Sequence, residues 1–247
     1  MKPYFDRFRN IAFEQRGDVL LMRLHTDGGP LLWAAAEGSI HGQLPQAFHE
    51  VAHDLSLRAV ILTGTGDNFC VDRNASEPSS FNADYWRRIS REGRELLINL
   101  LDIDVPVITA VNGPCMIHPE LCVLADVVLS VENACFSDSH LRANIVAGDG
   151  CHVVWKQLLG HSRGNYFLLM EEVLSARDAR GFGVVHEILA ADELLARAWT
   201  IGQRIAEKNP FTTHYSRALF TRPLKAAMQA DLDYGLAVEG LEMAFRS

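Results

Sequence analysis

The chain has no apolar run of the roughly 20 residues that a membrane-spanning helix needs. It has no CxxC pair either. Its five cysteines, Cys70, Cys115, Cys122, Cys135 and Cys151, are an odd number. Several sit in apolar strings such as LCVLADVVL, where a reduced cysteine behaves as a small hydrophobe. That excludes a disulfide framework and points to a reducing compartment. Positive charge is short: 23 Lys and Arg stand against 31 Asp and Glu, a net charge of −8. Nucleic acid and anionic membrane, which demand a basic surface, are therefore not expected partners. The opening MKPYFDRFRN lacks the apolar stretch of a secretory signal, so the expected location is the cytoplasm. Low-complexity tracts, linkers and repeats of fixed period are also missing.

What is present suits one large core with a smaller appendage: 247 residues, 48% hydrophobic and 22% charged. IAFEQRGDVLLMRLHT reads as two strands around a Gly-Asp turn. EGSIHGQLPQAFHEVAHDL has apolar residues at helical spacing, and RAVILTGTG reads as a buried strand stopped by glycines. DYWRRISREGRELLINLLDI is a strongly amphipathic helix, VPVITAVNG another strand, and LCVLADVVLSVENACFSD a short helix followed by a strand. This alternation predicts an α/β core with parallel strands over residues 1–190. Residues 191–247 hold three helical stretches, DELLARAWTIGQRIAEKN, FTTHYSRALFTR and LKAAMQADLDYGLAVEGLEMAF. The apolar face of the last predicts self-association.

Two short motifs have simpler explanations than chemistry. HEVAH, His49 to His53, matches the H-E-x-x-H zinc signature, with Glu77 as a conceivable third ligand. An amphipathic helix explains it as well, with Phe48, Val51 and Leu55 facing the core and His49, Glu50 and His53 solvated. GHSRG, Gly160 to Gly164, matches the nucleophile elbow, which requires a strand before Ser162. The preceding HVVWKQLLG reads instead as a helix capped by Gly160, with Ser162 capping the next.

Three longer segments carry more. RAVILTGTGDNFCVD, LLDIDVPVITAVNGP and ADVVLSVENACFSDSHLRANIVAGDGCHVVWKQLLG, in that order, resemble the crotonase (enoyl-CoA hydratase/isomerase) superfamily. RDARGFGVVHEIL and the helical tail extend the resemblance over nearly the whole chain. It implies a spiral of ββα units with a C-terminal α-helical trimerisation region, and hence a homotrimer or dimer of trimers. The chain also departs from that pattern. NGPCMIHPELCVLAD replaces the glycine run after Asn-Gly and places His118 there. Cys70, Val71 and Asp72 stand where small residues and glycine are usual. His140, after FSDS, stands where hydratases have a catalytic glutamate, and Asp149 adds a charge in IVAGDG. NGPCMIHPE and GDGCHVVW resemble the β-diketone hydrolase branch of the superfamily.

That branch implies retro-Claisen hydrolysis of a small hydrophobic β-diketone, with no metal, redox cofactor or coenzyme A. Histidine suits the activation of water near neutral pH, and a carboxylate partner fixes its tautomer. His140 with Asp149 is the expected dyad. His118 is the expected donor to the enolate oxygen, in place of the missing glycine amides. His152 competes as base or partner, or simply lies on the following helix. Trp33 offers an indole N–H to a substrate carbonyl, or is a buried aromatic. Glu239 reaches the site from the C-terminal region, or is an exposed helix residue; Glu120 is equally open. Val71 is expected to contact substrate from the first loop. The competing functions are a CoA-thioester hydratase or isomerase and a catalytically silent crotonase-fold binding protein.

Overall fold

The computed structural model describes residues 2–74 and 81–246, which leaves Glu77 outside the described residues. The strands in chain order are β1 (Ile11–Arg16), β2 (Val19–Leu24), β3 (Leu32–Trp33), β4 (Ala59–Thr63), β5 (Asp72–Arg73), β6 (Val107–Val111), β7 (Val127–Val131), β8 (Cys135–Phe136), β9 (Leu174–Ser175) and β10 (Glu187–Leu189). The helices are α1 (Ile40–Ala52), α2 (Ala83–Asp102), α3 (Glu120–Val123), α4 (Cys151–Leu159), α5 (His161–Leu169), α6 (Ala176–Gly181), α7 (Ala191–Ala206) and α8 (Pro210–Arg246).

The main sheet has the order β1-β2-β4-β6-β7-β10. β1 pairs antiparallel with β2 across the Gly-Asp turn, and the other pairs are parallel. β4 and β6 are buried at every residue. That accounts for the continuous apolar text of AVILT and VITAV, since a parallel strand is covered on both faces. α7 covers this sheet, and α1 packs against α2. A second, smaller layer joins β3 to β5 and β8 to β9, stitched by bridges from Cys70 to Cys115 and from Cys115 to Phe136.

Asn112 shows why the Asn-Gly pair stands after β6. Its Oδ1 accepts from the Gly64 N–H at 3.1 Å, and its Nδ2 donates to the carbonyls of Gly66 and Asn68. A side chain at Gly113 would strike the Asp67 carbonyl. The loops leaving β4 and β6 are therefore locked together, and both lead into the second layer.

Three local expectations need correction. Leu55 does not face the core but is 83% exposed, because α1 stops at Ala52 and its apolar stripe stops with it. Ser162 caps no helix among the described residues; Gly160 alone separates α4 from α5, and Ser162 lies inside the second helix. FTTHYSRALFTR and the stretch after it form one helix, α8, running through Pro223. Packing outweighs the lost backbone bond there. The buried Arg217 guanidinium binds Asp126 at 2.6 Å and the carbonyls of Leu101 and Ile103, anchoring the first half of α8 to the core.

Candidate active site

α8 packs against α2 and α4, and its approach depends on small residues. A side chain on Gly148 would meet the Gly235 carbonyl, and one on Gly235 would meet His152. This contact brings Glu239 down beside the Gly148–Gly150 turn, where its carboxyl accepts a hydrogen bond from the backbone of Gly148. A cavity of about 100 Å³ lies beneath, with Trp33, Trp86, Ile89, Ile145, Leu236 and Met243 among its walls. His41, His118, His140, Asp149, Glu239 and Arg73 supply its polar groups.

His118, Asp149 and His140 converge on one oxygen. Asp149 Oδ2 lies 3.3 Å from His118 Nδ1 and 3.3 Å from His140 Nε2. His118 has a φ of +48°, uncommon outside glycine, and precedes Pro119. Glu120, fully buried at the start of α3, holds the same Nδ1 at 2.8 Å through Oε1. The Trp33 ring sits 4.1 Å from the His118 ring, centroid to centroid.

His140 is held on both nitrogens. Nδ1 faces Asp138 at 3.0 and 3.1 Å, and the His140 backbone N–H also donates to Asp138 at 3.0 Å. Burial alone lowers the imidazole's proton affinity, but the Asp149 charge and the bond to Asp138 outweigh it, and its pKa is well above the usual 6.5. Asp149 responds in the opposite sense. Burial raises its carboxyl, while the His140 charge, the hydrogen bond to it and His118 pull it far below the usual carboxylate range. Glu239, buried beside the Asp149 charge, is pushed up to about 8. Burial raises Glu120 as well, against the pull of His118.

Donor atoms of His118, Glu120 and Asp149 lie within 4.8 Å of one another, as do those of Asp138, His140 and Cys151. Such clusters could hold a cation, but here the donors are engaged with each other. His49 and His53, by contrast, are exposed on the outer side of α1, where His53 Nδ1 bonds the His49 carbonyl.

The site thus brings together His140, Asp149, His118, Trp33, Glu239 and Glu120. Val71 is half-buried and is not among the described residues lining the cavity. His152 packs toward α8 and bonds the Asp231 backbone. Two functional candidates escape a sequence reading. Asp138, two residues before His140, is hidden in ordinary turn chemistry. His41 lies on the same helical stripe as Leu44, Phe48 and Val51, so a polar residue on an apolar face is its signal. It binds Glu92 at 2.8 Å, and its ring meets Trp33 edge-on at 5.8 Å.

The spiral of parallel strands, with the site in its second layer under a C-terminal helix, defines a crotonase-fold enzyme. The chain belongs to the enoyl-CoA hydratase/isomerase family, whose profile matches residues 34–239. It is similar to a β-diketone hydrolase from the cyanobacterium Anabaena, solved bound to (S)-3-oxocyclohexyl acetic acid. Those two chains are 38% identical with a TM-score of 0.93, covering 97% of this chain and 96% of that one. A short-chain-enoyl-CoA hydratase of Clostridium acetobutylicum is 25% identical over 93% of this chain and 86% of its own length. A 2,3-dehydroadipyl-CoA hydratase of Escherichia coli is also 25% identical, over 90% and 85%. Among the described residues no helix is long and apolar enough to cross a membrane.

Proposed function

We propose that the protein hydrolyses the carbon–carbon bond between the carbonyls of a β-diketone. The observation that carries this reading is the single Asp149 oxygen shared by two imidazoles in an apolar cavity. The likeness to a diketone hydrolase supports it.

Water adds to one carbonyl, giving a tetrahedral hydrate. The C–C bond then breaks, and its electron pair forms an enolate on the other carbonyl. Protonation of that enolate leaves a keto acid, so one water is consumed and no electrons enter or leave. Asp138 fixes the hydrogen on His140 Nδ1, which makes Nε2, on the Asp149 side, the nitrogen that takes the proton of water. This sharpens the expected dyad: Asp149 lies at the reactive nitrogen rather than behind the ring. Glu120, when it holds its proton, donates to His118 Nδ1 and leaves the ring hydrogen on Nε2. His118 then donates to the enolate oxygen. Trp33 orients the substrate ring, and Glu239, neutral below about pH 8, adds a donor.

The names of the 25%-identical relatives favour a second reading, hydration of an enoyl-CoA. A panel of cyclic 1,3-diketones, followed by loss of ultraviolet absorbance, separates the two. Conversion to keto acids that collapses in His140→Ala is the expected result. No turnover across the panel, with activity on an enoyl-CoA, would sink the hydrolase reading.

The assembly we propose is a trimer or a dimer of trimers, located in the cytoplasm. Phe211, Tyr215, Leu219 and Phe220 are exposed on α8 and need cover. A monomer by light scattering at working concentration would refute this.

A further inference from the structure

Arg73 has no evident part in the chemistry above. It ends β5 beside Trp33, its register partner in β3, and it is exposed at the cavity mouth. Histidines aside, it is the one cation among the described lining residues. Among the described residues its guanidinium makes one hydrogen bond, Nη2 to Ser139 Oγ at 3.3 Å, and no ion pair. Neighbouring arginines are spent differently: Arg88 pairs with Glu92, Arg142 with Glu171 and Arg246 with Glu242. A guanidinium with most of its donors unused is a fork that fits a carboxylate. The cavity interior has the opposite character. Deeper in, the His140 ring is already paired with Asp138 and Asp149, so an acid's charged end is favoured at the mouth and its ring at the apolar walls.

Building on the hydrolase reading, we infer that Arg73 forms a carboxylate subsite at the cavity mouth. The carboxylate has two possible sources, an acid group carried by the diketone or the acid that hydrolysis creates. In either case Arg73 sets which end of the ligand enters first. Ser139, next to His140 in the chain, links this subsite to the reacting end.

Binding tests the subsite apart from turnover. 3-Oxocyclohexyl acetic acid and its methyl ester would be titrated into the full chain, following tryptophan fluorescence, since Trp33 and Trp86 line the cavity. The wild type should bind the acid more tightly than the ester by roughly two- to fivefold at low salt, the scale of an exposed ion pair. Arg73→Gln should abolish that preference, Arg73→Lys should keep part of it, and added salt should shrink it. Equal binding of acid and ester by the wild type would overturn the inference. So would an acid preference that survives in Arg73→Gln. Steady-state kinetics then identify the source. A larger KM rise in Arg73→Gln for a carboxylate-bearing diketone than for a neutral one assigns the acid group to the substrate. A weakened inhibition by keto acid with both diketones assigns it to the product. If no diketone is turned over, the hydrolase reading falls while the fluorescence result still decides the subsite.

Discussion

His41 and His140 stand at the two ends of a row of rings, His41–Trp33–His118–His140, and both are buried against carboxylates. Their protonation runs in opposite directions. His41 has the shorter contact, 2.8 Å to Glu92, yet burial lowers its pKa below the usual 6.5 despite that bond. His140 has longer contacts, 3.0 to 3.3 Å, and its pKa is raised. Distance to the nearest carboxylate does not decide the outcome. The balance of burial and surrounding charge does: at His41 burial, joined by the neighbouring His118, outweighs one contacting carboxylate, whereas His140 faces both Asp138 and Asp149. One row of rings thus holds an imidazole whose pKa is lowered and another whose pKa is raised.

The largest effect expected from this contrast is on rate. His140→Ala should lower kcat/KM on a diketone by about 10²–10⁴, the range for a positioned acid–base group. His41→Ala should lower it by a smaller factor. Equal losses in the two variants would break the comparison.

Next in size is the pH profile. A base with a raised pKa is available only after it loses its proton, so kcat/KM should climb with pH, and its limb should lie above 6.5. His41, already neutral there, contributes no such limb. A rate that falls as pH rises through this range would instead make His140 a proton donor. The same sign governs stability. The His140 contribution is fully present below its unfolded value of 6.5 and is lost as pH rises through the raised folded one.

A smaller change tests the count of carboxylates directly. Asp138→Asn keeps an oxygen for His140 Nδ1 but removes one negative charge, making His140 more like His41. The limb of kcat/KM should move toward lower pH than in the wild type. An unmoved limb would mean that Asp138 only positions the ring.

These residues also mark what the sequence made legible. The parallel core was readable because β4 and β6 are buried on both faces and therefore unbrokenly apolar. His118, His140 and Asp149 stood out because they replace residues expected at those points of a familiar pattern. Asp138 and His41 did not, since their importance comes from partners: Asp138 matters through the ring two residues on, His41 through Glu92, 51 residues away. The joining of two helical stretches through Pro223 was equally hidden. Its first stretch is anchored by Arg217 reaching Asp126, a contact 91 residues distant. Local text carries periodicity and turn chemistry but not the charge balance of a cavity assembled from six separate segments.

The smallest expected effect belongs to Glu239, the one carboxyl of the site delivered by α8. Its pKa is pushed to about 8 by burial and by the Asp149 charge, against 4.5 when unfolded. Between those values the folded chain holds a proton that the unfolded chain has released. Stability attributable to this group is therefore present below pH 4.5 and lost as pH rises through 8. Glu239→Gln reproduces the neutral form at every pH. Its melting temperature should match the wild type near pH 5 and exceed it near pH 9, with kcat little changed at pH 6. A Gln variant less stable than the wild type at pH 9 would show that the ionised carboxylate is the native form. In that case Glu239 would sit on the charged side of the comparison, with Asp138 and Asp149, and His140 would be held by three carboxylates rather than two.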